Sequence, residues 1–417
     1  MRLLGCLFVF LCQSLSGQTL IDFALQDITR VIMYDMYSAP GASRAYAYIC
    51  IAGYEASCVT DKHYPSLTTH LQAAPKIRRP GKTKKLDPER VAAYAMYITA
   101  RSFVYSEELL LEAQQKNLGL TDTDDINFQF GNRVAEAILD WASTDGYSQT
   151  FNMDRYNPLL LPGTWEPTPP DFAPALEPYF GTVRRFITGT EFVQPLPPLP
   201  AFSVNQQDVW HTNARAVYDS SFTLTQKQQA IVFFWDDNPF EIVQKGHLQY
   251  AIKKVSPAGH WLDICRTALD SVHAGALQRS QAYALVAVAM ADAVYAAWDT
   301  KYAYSVLRPE TYINANIDAN WRPLIPSPPF PEYPSGHSCI SAAAATILTQ
   351  LFGPDFDFTD ASETQFDLPA RTFNSFAEAA LEAGISRFYG GIHYLPSVEA
   401  GAQLGRQTAE HQLEVLK

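Results

Sequence analysis

The stretch PEYPSGHSC, residues 331–339, places Ser335, Gly336 and His337 side by side behind two prolines. An alanine-rich run follows, SCISAAAATILTQLF, and its composition predicts a helix. The first turn of a helix presents backbone N–H groups without carbonyl partners and the positive end of the helix dipole. An ordinary N-cap explains Ser335, but it does not explain Gly336 and His337 together. The stretch therefore predicts a helix start that binds an anion with several oxygen atoms.

A second cluster, WDTKYAYSVLRP at residues 298–309, carries two cations seven positions apart, Lys301 and Arg308. On a continuous helix, seven residues make about two turns and rise about 10.5 Å, so both side chains lie on one face. Such a pair can contact one ligand from two sides, although most pairs of this spacing are simply solvated. The spacing predicts a shared helix face.

A third cluster, ISRFYGGIHYLP at residues 385–396, contains Arg387 and His393. Their spacing of six would put them on different faces of an uninterrupted helix. The pair Gly390-Gly391 allows the chain to turn between them, and Pro396 suits the first turn of a final helix. The pattern predicts that both side chains face one pocket.

Helical periodicity dominates the rest of the chain. The 417 residues are 47% hydrophobic and 18% charged, which is normal for a globular protein with a sizeable core. Residues 18–156 are predicted to form an N-terminal helical region. Residues 157–205 are predicted to form an extended connection, because eleven of the 28 prolines lie in its first 44 positions. Residues 206–417 are again helical and hold all three clusters. We expect an all-α fold with its site in this C-terminal bundle.

Residues 1–17, MRLLGCLFVFLCQSLSG, have the form of a secretory signal: a positive start, an apolar centre and small residues before Gln18. We therefore expect an exported protein, periplasmic or secreted. The net charge of −12 disfavours nucleic-acid binding. One basic run, KIRRPGKTKKLDPER at residues 76–90, opposes this trend and is predicted to be a solvated loop.

The apolar stretches after the signal are shorter than the roughly 18–20 residues that a membrane span requires. One of the two best candidates, ALVAVAMADAVYAA at residues 284–297, also contains Asp292. We expect no membrane span and a central bundle helix at this position. The cysteines beyond the signal show no metal-ligand spacing and are predicted to be buried thiols; they are Cys50, Cys58, Cys265 and Cys339.

The three clusters give the motifs K-x6-R-P, P-S-G-H and S-R-x5-H, in this order between residues 301 and 393. This arrangement resembles the superfamily that unites vanadium-dependent haloperoxidases with type 2 phosphatidic acid phosphatases and class A bacterial acid phosphatases. The resemblance covers the C-terminal half of the chain and implies a helical-bundle fold. It implies that the stretch at 331–339 is one wall of a site for phosphate or vanadate.

For a haloperoxidase, the resemblance implies that His393 is the axial ligand of vanadium(V) in a vanadate cofactor. His337 would assist the binding of hydrogen peroxide by proton transfer, and a halide would be oxidised to hypohalous acid. The groups that would hold the equatorial oxygens are Lys301, Arg308, Arg387, Ser335 and the Gly336 amide.

For a phosphatase, the same residues imply a different reaction that needs no cofactor. His393 would attack the phosphorus of a phosphate ester to form a phosphohistidine, and His337 would protonate the leaving alcohol. A third alternative is a protein that binds an oxyanion without catalysis, although the presence of both histidines speaks against it. The fold alone does not decide among these three.

Two aromatic residues favour the haloperoxidase. Phe330, in PPFPEYPSGH, and Trp298 match positions that line the halide pocket of chloroperoxidases by resemblance. The alternative is that both are core aromatics. The additional N-terminal helical region, which small secreted acid phosphatases lack, also favours the haloperoxidase. The absence of predicted membrane spans argues against an integral lipid phosphatase.

One position departs from the family pattern. Many relatives have an aspartate four residues after the last histidine, where it orients the imidazole ring, and here that position is Ser397. A backbone carbonyl, Ser397 itself or Glu399 is expected to take over this role. His260 and the pair Asp236-Asp237 are predicted to be structural, as a hydrogen-bonding histidine and a turn outside the site.

Overall fold

The chain is mostly helical from Leu20 to Val415 in the computed structural model, which describes residues 18–81, 85–189, 196, 199–238, 241–245 and 247–417. Within these residues, fourteen α-helices are joined by loops, short 3-10 turns and two small hairpins. The all-α prediction is confirmed, and the hairpins are features that the sequence patterns did not indicate. The predicted secretory signal, residues 1–17, lies outside the described residues.

Six helices form the N-terminal region: α1 (Leu20–Tyr34), α2 (Ala39–Cys58), α3 (Pro88–Arg101), α4 (Glu107–Leu118), α5 (Ile126–Ala142) and the short α6 (Tyr147–Thr150). Several begin at a capping side chain, since Ser38, Asp87 and Asp125 accept hydrogen bonds from backbone N–H groups of α2, α3 and α5. α2 is the inner helix of this region. Nearly all of its residues are buried, and it packs against α3 and α5.

The described residues of the proline-rich segment after α6 contain no α-helix. Thr164 forms an isolated antiparallel bridge with Val306. The buried carboxylate of Asp292 accepts hydrogen bonds from the backbone N–H groups of Phe186 (2.7 Å) and Ile187 (2.9 Å). These contacts fasten the segment to the C-terminal region. The domain limits at residues 156 and 205 stay a prediction.

Eight helices form the C-terminal region: α7 (Val209–Ser221), α8 (Gln226–Phe234), α9 (Pro257–Ser271), α10 (Ala276–Tyr304), α11 (Pro309–Asn316), α12 (Gly336–Phe352), α13 (Phe376–Tyr389) and α14 (Leu395–Val415). Two antiparallel hairpins accompany them, β1 (Glu241–Lys245) with β2 (Leu248–Ile252) and β3 (Phe358–Asp360) with β4 (Arg371–Phe373). The helix starts predicted after Pro334 and at Pro396 are both confirmed, because Gly336 opens α12 and Pro396 lies in the first turn of α14.

The centre of the fold is α10, a 29-residue helix rich in alanine. It packs against α2 on one side and against α12 and α14 on the other. A single cluster of buried apolar side chains therefore extends from α1 to α14 through the described part of the chain. By length and composition α10 could cross a membrane, but nearly all of its most apolar stretch is buried inside the fold.

Two glycines bring α14 against the first turns of α12. A β-carbon at Gly401 would collide with the carbonyl oxygen of Ser335, and one at Gly405 would collide with that of Cys339. The two helices therefore cross with their backbones in contact. The Ser335 N–H also donates a hydrogen bond to the Ser397 carbonyl at 3.0 Å. These contacts fix the start of α12, where the sequence predicts the anion site.

Candidate functional site

The three predicted clusters meet at the start of α12. Lys301 comes from the last turn of α10, Arg308 from the loop before α11, Arg387 from the last turn of α13 and His393 from the turn before α14. All four side chains are buried. The contacts and charge interactions described below bring these four side chains into one neighbourhood.

Lys301 uses its whole donor capacity on the protein itself. Its Nζ donates hydrogen bonds to the carbonyl oxygens of Pro331 (2.9 Å), Glu332 (3.1 Å) and Pro334 (2.5 Å). An ammonium group has three protons, so these carbonyls occupy all of them. Burial and the neighbouring Arg308 hold the pKa of Lys301 well below its ordinary value, although Glu332 opposes this shift. Lys301 thus fixes the 331–334 segment and adds charge to the site.

The predicted shared helix face of Lys301 and Arg308 is wrong. α10 ends at Tyr304, and Arg308 is the residue immediately before α11, whose first residue is Pro309. A residue that precedes proline is disfavoured in the helical conformation, so the helix does not continue through Arg308. The two cations converge nevertheless. Lys301 Nζ lies 5.0 Å from the centre of the Phe330 ring, and Arg308 Cζ lies 4.9 Å from it.

The Arg308 guanidinium spans the site. Its Nε donates to the Phe330 carbonyl (3.0 Å), and its Nη1 donates to the Ile392 carbonyl (2.9 Å) and lies 3.1 Å from Nε2 of His393. Among the described residues, its Nη2 has no hydrogen-bond partner although it is buried. Burial lowers the pKa of Arg308 to about 10, so the group stays charged at neutral pH. Its free N–H groups are available to an anion.

Arg387 presents a second unpartnered donor. Its Nη1 donates to the Trp235 carbonyl at 2.6 Å, and its Nη2 lies 3.7 Å from Oδ1 of Asp236. Its Nε is buried without a hydrogen-bond partner in the part of the chain that the structure describes. The sequence prediction places Asp236 in a turn outside the site and misses this ion pair. No local pattern reveals it, because about 150 residues separate the two groups.

The start of α12 supplies uncharged donors. Ser335 caps the helix, since its Oγ accepts hydrogen bonds from the N–H (3.4 Å) and hydroxyl (2.9 Å) of Ser338. The hydroxyl proton of Ser335 remains free to donate. Gly336 is the first helical residue, so its N–H has no partner within the helix. A β-carbon there would lie 3.4 Å from Trp298 and 3.9 Å from Lys301 Cε, so its absence keeps the space beside this amide open.

His393 is held by a buried carboxylate. Its Nδ1 lies 2.8 Å from Oε1 of Glu332, and that same oxygen accepts the Tyr394 N–H at 3.0 Å. Because the carboxylate accepts the Nδ1 proton, Nε2 carries the lone pair, which points toward Arg308 Nη1. Burial and the cations at Arg308, Lys301 and Arg387 hold the pKa of His393 well below its ordinary value. The ring is therefore neutral, and Nε2, which accepts a hydrogen bond from Arg308 Nη1 here, carries the lone pair that could bind an electrophile.

Glu332 corrects the expectation about Ser397. From the sequence we expect Ser397, Glu399 or a backbone carbonyl to orient His393. In the structure the Ser397 hydroxyl donates to Oε2 of Glu332 at 2.5 Å, so the serine holds the carboxylate and the carboxylate holds the ring. The missing aspartate is replaced from the loop before α12. The orienting carboxylate belongs to the stretch PEYPSGH itself, but only the tertiary fold shows that Glu332 faces His393.

His337 follows Gly336 in the first turn of α12. The residue is partly exposed, yet its Nε2 is buried and has no hydrogen-bond partner among the described residues. Burial, followed by the charge of Arg387, holds the pKa of His337 well below its ordinary value. A neutral imidazole at this position can accept a proton from a ligand.

The two aromatic residues predicted for a halide pocket lie beside the cations. The rings of Trp298 and Phe330 are 5.0 Å apart, and Lys301 Nζ lies 5.9 Å from the Trp298 ring. Trp298 is buried, whereas Phe330 is partly exposed. The pair forms an apolar flank next to charged groups. Its role in halide binding stays a prediction.

His260 lies outside this set, in a neighbouring acidic cluster. Its Nδ1 lies 2.9 Å from Asp237 and its Nε2 lies 2.7 Å from Asp360. The sequence predicts a hydrogen-bonding histidine here, and the observed contacts are of this kind. The pair Asp236-Asp237 thus serves two places, because Asp236 contacts Arg387 and Asp237 contacts His260.

The donor set fits a multiply charged oxyanion such as vanadate. Three buried cations, Lys301, Arg308 and Arg387, all act to lower the pKa of His393. Two carboxylates oppose them: Glu332 and Asp236, the latter also paired with Lys254 at 2.6 Å. The surplus of positive charge, with buried N–H groups that have no protein acceptor, matches the charge and the oxygens of such an ion. The unprotonated Nε2 of His393, oriented by Glu332, is a nitrogen ligand that could bind the central atom.

Fold and site together define a class, the helical-bundle proteins that hold vanadate or phosphate in a buried cationic site. A family model described as the VCPO second helical-bundle domain matches residues 281–417, which include all three clusters. No curated protein sequence matches the chain.

Solved structures narrow the class. The structure described as the first bacterial vanadium-dependent iodoperoxidase matches with a TM-score of 0.87 and 34% identity, over 95% of this chain and 96% of that chain. A holo-type bacterial vanadium-dependent chloroperoxidase matches with a TM-score of 0.68 and 15% identity, over 96% and 93% of the two chains, and shows the shared fold alone. The chain belongs to the vanadium-dependent haloperoxidase family and is a vanadium haloperoxidase-like enzyme.

Proposed function

We propose that this enzyme oxidises iodide with hydrogen peroxide and requires vanadate as its cofactor. The observation that carries the proposal is the unprotonated Nε2 of His393 beside the buried, unpartnered nitrogens of Arg308 and Arg387. The choice of iodide rests on the iodoperoxidase with 34% identity over nearly the whole chain. The chloroperoxidases, at 15% and 14% identity, support the fold but not a halide.

The residues divide the task of holding vanadate. His393 Nε2 would bind the vanadium atom, because it carries no proton and lies 3.1 Å from Nη1 of Arg308, one of the cations of the site. The free N–H groups of Arg308 and Arg387 would bind oxygens of vanadate, together with the Ser335 hydroxyl and the Gly336 amide. Vanadate bound there would supply a Lewis acid that activates hydrogen peroxide without a change in its oxidation state.

His337 would move the proton of the incoming peroxide. Its neutral ring can accept a proton at Nε2, the atom without a protein partner. The surrounding cations, Arg387 first among them, disfavour the charged ring until an anion occupies the site. Proton uptake at His337 is therefore coupled to a filled site.

The apolar flank of Trp298 and Phe330 would suit a large, weakly hydrated halide. An anion that approaches this flank must give up water, which costs least for iodide among the halides. Lys301 Nζ and Arg308 Cζ lie 5.0 and 4.9 Å from the centre of the Phe330 ring, so their charge reaches the flank. This arrangement supports iodide as the favoured substrate.

The test is an assay of the purified protein, loaded with vanadate and freed of excess ion. We expect peroxide-dependent oxidation of iodide, seen as triiodide absorbance, and at least about 100-fold less in His393→Ala. Bromide and chloride, with a phenol acceptor, measure the halide preference. Release of phosphate from p-nitrophenyl phosphate without iodide oxidation would support the phosphatase alternative. Vanadate binding with neither activity would support the non-catalytic alternative.

We further propose that the protein is exported, to the periplasm or outside the cell. Support comes from the form of residues 1–17, a positive start followed by an apolar centre and small residues. Expression of the full chain in a bacterium, followed by N-terminal sequencing of the protein from each compartment, tests this. We expect mature protein that begins near Gln18, and full-length protein in the cytosol alone would contradict the proposal.

A further inference from the structure

A second group of chemically active side chains lies behind the oxyanion site, where α9 meets the loop after α8 and the 3-10 turn after β3. Asp237, His260 and Glu363 each offer one ligand atom, and these atoms lie within 4.8 Å of one another. All three side chains are buried. The oxyanion site is rich in cations, whereas this cluster is rich in carboxylates.

Glu363 is buried without a hydrogen bond to any residue that the structure describes. Its side chain is 1% exposed, and neither of its oxygens accepts or donates a hydrogen bond among the described residues. Its Oε1 nevertheless lies 3.9 Å from Nδ1 of His260. A buried carboxyl group without hydrogen bonds is costly unless a proton or a cation neutralises it. Burial raises the pKa of Glu363 to about 8, which reflects the same cost.

The distances suit a small metal ion. Oδ1 of Asp237 lies 2.9 Å from Nδ1 of His260, and Oε1 of Glu363 lies 3.9 Å from that nitrogen. Ligand atoms about 2.1 Å from a tetrahedral zinc ion are about 3.4 Å from one another. The two distances to His260 differ from this spacing by about half an ångström, and all three ligand atoms lie within 4.8 Å of one another, so small side-chain movements would bring them around one ion.

Nε2 of His260 contacts a carboxylate, as the non-ligating nitrogen of a metal-bound histidine usually does. Nε2 lies 2.7 Å from Oδ2 of Asp360, so the carboxylate can hold the ring orientation and accept its proton. Asp360 is itself fixed by Ser362, whose N–H (3.0 Å) and hydroxyl (2.7 Å) donate to Oδ1. Nδ1 is thereby left to face Asp237 and Glu363.

We propose that Asp237, His260 and Glu363 bind a divalent transition-metal cation of the zinc type, with Asp360 orienting His260. One imidazole and two carboxylates are a ligand set that Zn²⁺ accepts, and the cation would replace the proton between Asp237 and His260. This site is separate from the oxyanion site and does not depend on vanadate.

The cation would act on the oxyanion site by fixing the segment that holds Arg387. The His260 ring stacks on Trp235, with centres 4.6 Å apart and planes at 17°. The carbonyl of Trp235 accepts a hydrogen bond from Arg387, and Asp236 pairs with the same guanidinium. Asp237 has a left-handed backbone (φ +35°), which a non-glycine residue adopts only when its surroundings hold it there.

The test is Zn²⁺ binding to the vanadate-loaded full chain after treatment with a chelator, measured by calorimetry and by metal analysis after gel filtration. We expect one zinc ion per chain and a rise in Tm. Glu363→Gln, which keeps the shape of a protonated carboxyl group, should lower zinc affinity at least tenfold. Glu310→Gln, at a buried glutamate that accepts from Ser327 at 2.7 Å elsewhere in the fold, should bind zinc as the wild type does.

Co²⁺ binding, followed by its absorption spectrum, is an independent test of the metal site that does not require enzymatic activity. Co²⁺ in a site of low coordination number absorbs visible light, and Asp237→Asn should weaken or shift these bands. If Glu363→Gln does not fold, Asp237→Asn replaces it in the measurement of zinc affinity. Absence of stoichiometric zinc, or zinc binding that neither substitution weakens, would overturn the proposal and leave Glu363 as a buried protonated acid.

Discussion

Glu332 Oε1 lies 2.8 Å from His393 Nδ1, across 61 positions of sequence. The same side chain accepts the Ser397 hydroxyl through its other oxygen, so both ends of the carboxylate are used. This contact leaves Nε2 of His393 without a proton and directed at Arg308. The availability of Nε2 as a ligand therefore depends on Glu332, which lies two residues before Pro334 in the stretch 331–339.

Glu332→Gln should weaken vanadate binding by about 10- to 100-fold, because loss of the carboxylate makes His393 a poorer ligand and frees its orientation. Phosphate, which needs no bond to the histidine, should bind at least as tightly, since the substitution removes a negative charge from a cationic site. Calorimetric titration with each anion separates the two effects. Ser397→Ala removes only one contact of Glu332 and serves as the milder control. Equal losses for both anions would contradict the assigned role.

Gly336→Ala should separate fold stability from anion binding. The new β-carbon would make ordinary contacts, 3.4 Å from Trp298 and 3.9 Å from Lys301 Cε. Loss of glycine freedom in the unfolded chain should raise stability by about 0.4–1 kcal/mol. The methyl group should nevertheless weaken vanadate binding about tenfold by crowding the amide, which corresponds to about 1.4 kcal/mol. Urea unfolding of the anion-free protein and vanadate titration measure the two quantities, and unchanged affinity would exclude close approach of an anion at this amide.

The pH dependence of stability should reveal the low pKa of His337. A histidine with a lowered pKa in the folded state does not reduce the free energy of unfolding as long as the pH is above the pKa of the unfolded chain, about 6.5. The free energy of unfolding decreases as the pH falls below that value, because the unfolded chain takes up a proton at this histidine and the folded chain does not. Without oxyanion, the wild type should therefore lose up to about 1.4 kcal/mol per pH unit more than His337→Gln between pH 6.5 and 5. Other groups titrate in both proteins and cancel in the comparison, so parallel curves would refute the neutral ring.

Phe330→Ser should impair halide use while vanadate binding stays nearly constant. The substitution removes the ring that lies beside Lys301 and Arg308 and admits water to the apolar flank. We expect kcat/KM for iodide to fall about tenfold, a loss of about 1.4 kcal/mol in transition-state binding. Phe330→Leu keeps the flank apolar, so its kcat/KM for iodide should lie between those of the wild type and Phe330→Ser. If both variants retain wild-type kcat/KM, Phe330 is a core aromatic with no part in halide binding.

The sequence reveals the cations and histidines of the site but not all the contacts that hold them. Ser335, Gly336 and His337 adjoin one another, so a helix start with its free N–H groups is visible in a short stretch. Glu332 lies in that same stretch, yet its contact with His393 depends on how α14 returns to α12. Asp236 and Arg387 are likewise joined only by the tertiary fold.

Local rules also explain the wrong prediction. The spacing of Lys301 and Arg308 suggests one helix face, but Pro309 disfavours helix at the residue before it. The proline was a sufficient signal that α10 ends earlier. The two hairpins are too short for alternation of apolar and polar residues to be recognised over three to five positions.

The crossing of α14 over α12 at Gly401 and Gly405 limits how this enzyme can be altered by directed evolution. Libraries that aim at a different halide can randomise the partly exposed rim around Phe330. At the two glycines any substitution would push the C-terminal helix off the P-S-G-H turn, so variants there are expected to lose the cofactor rather than change preference. A useful library leaves both codons fixed.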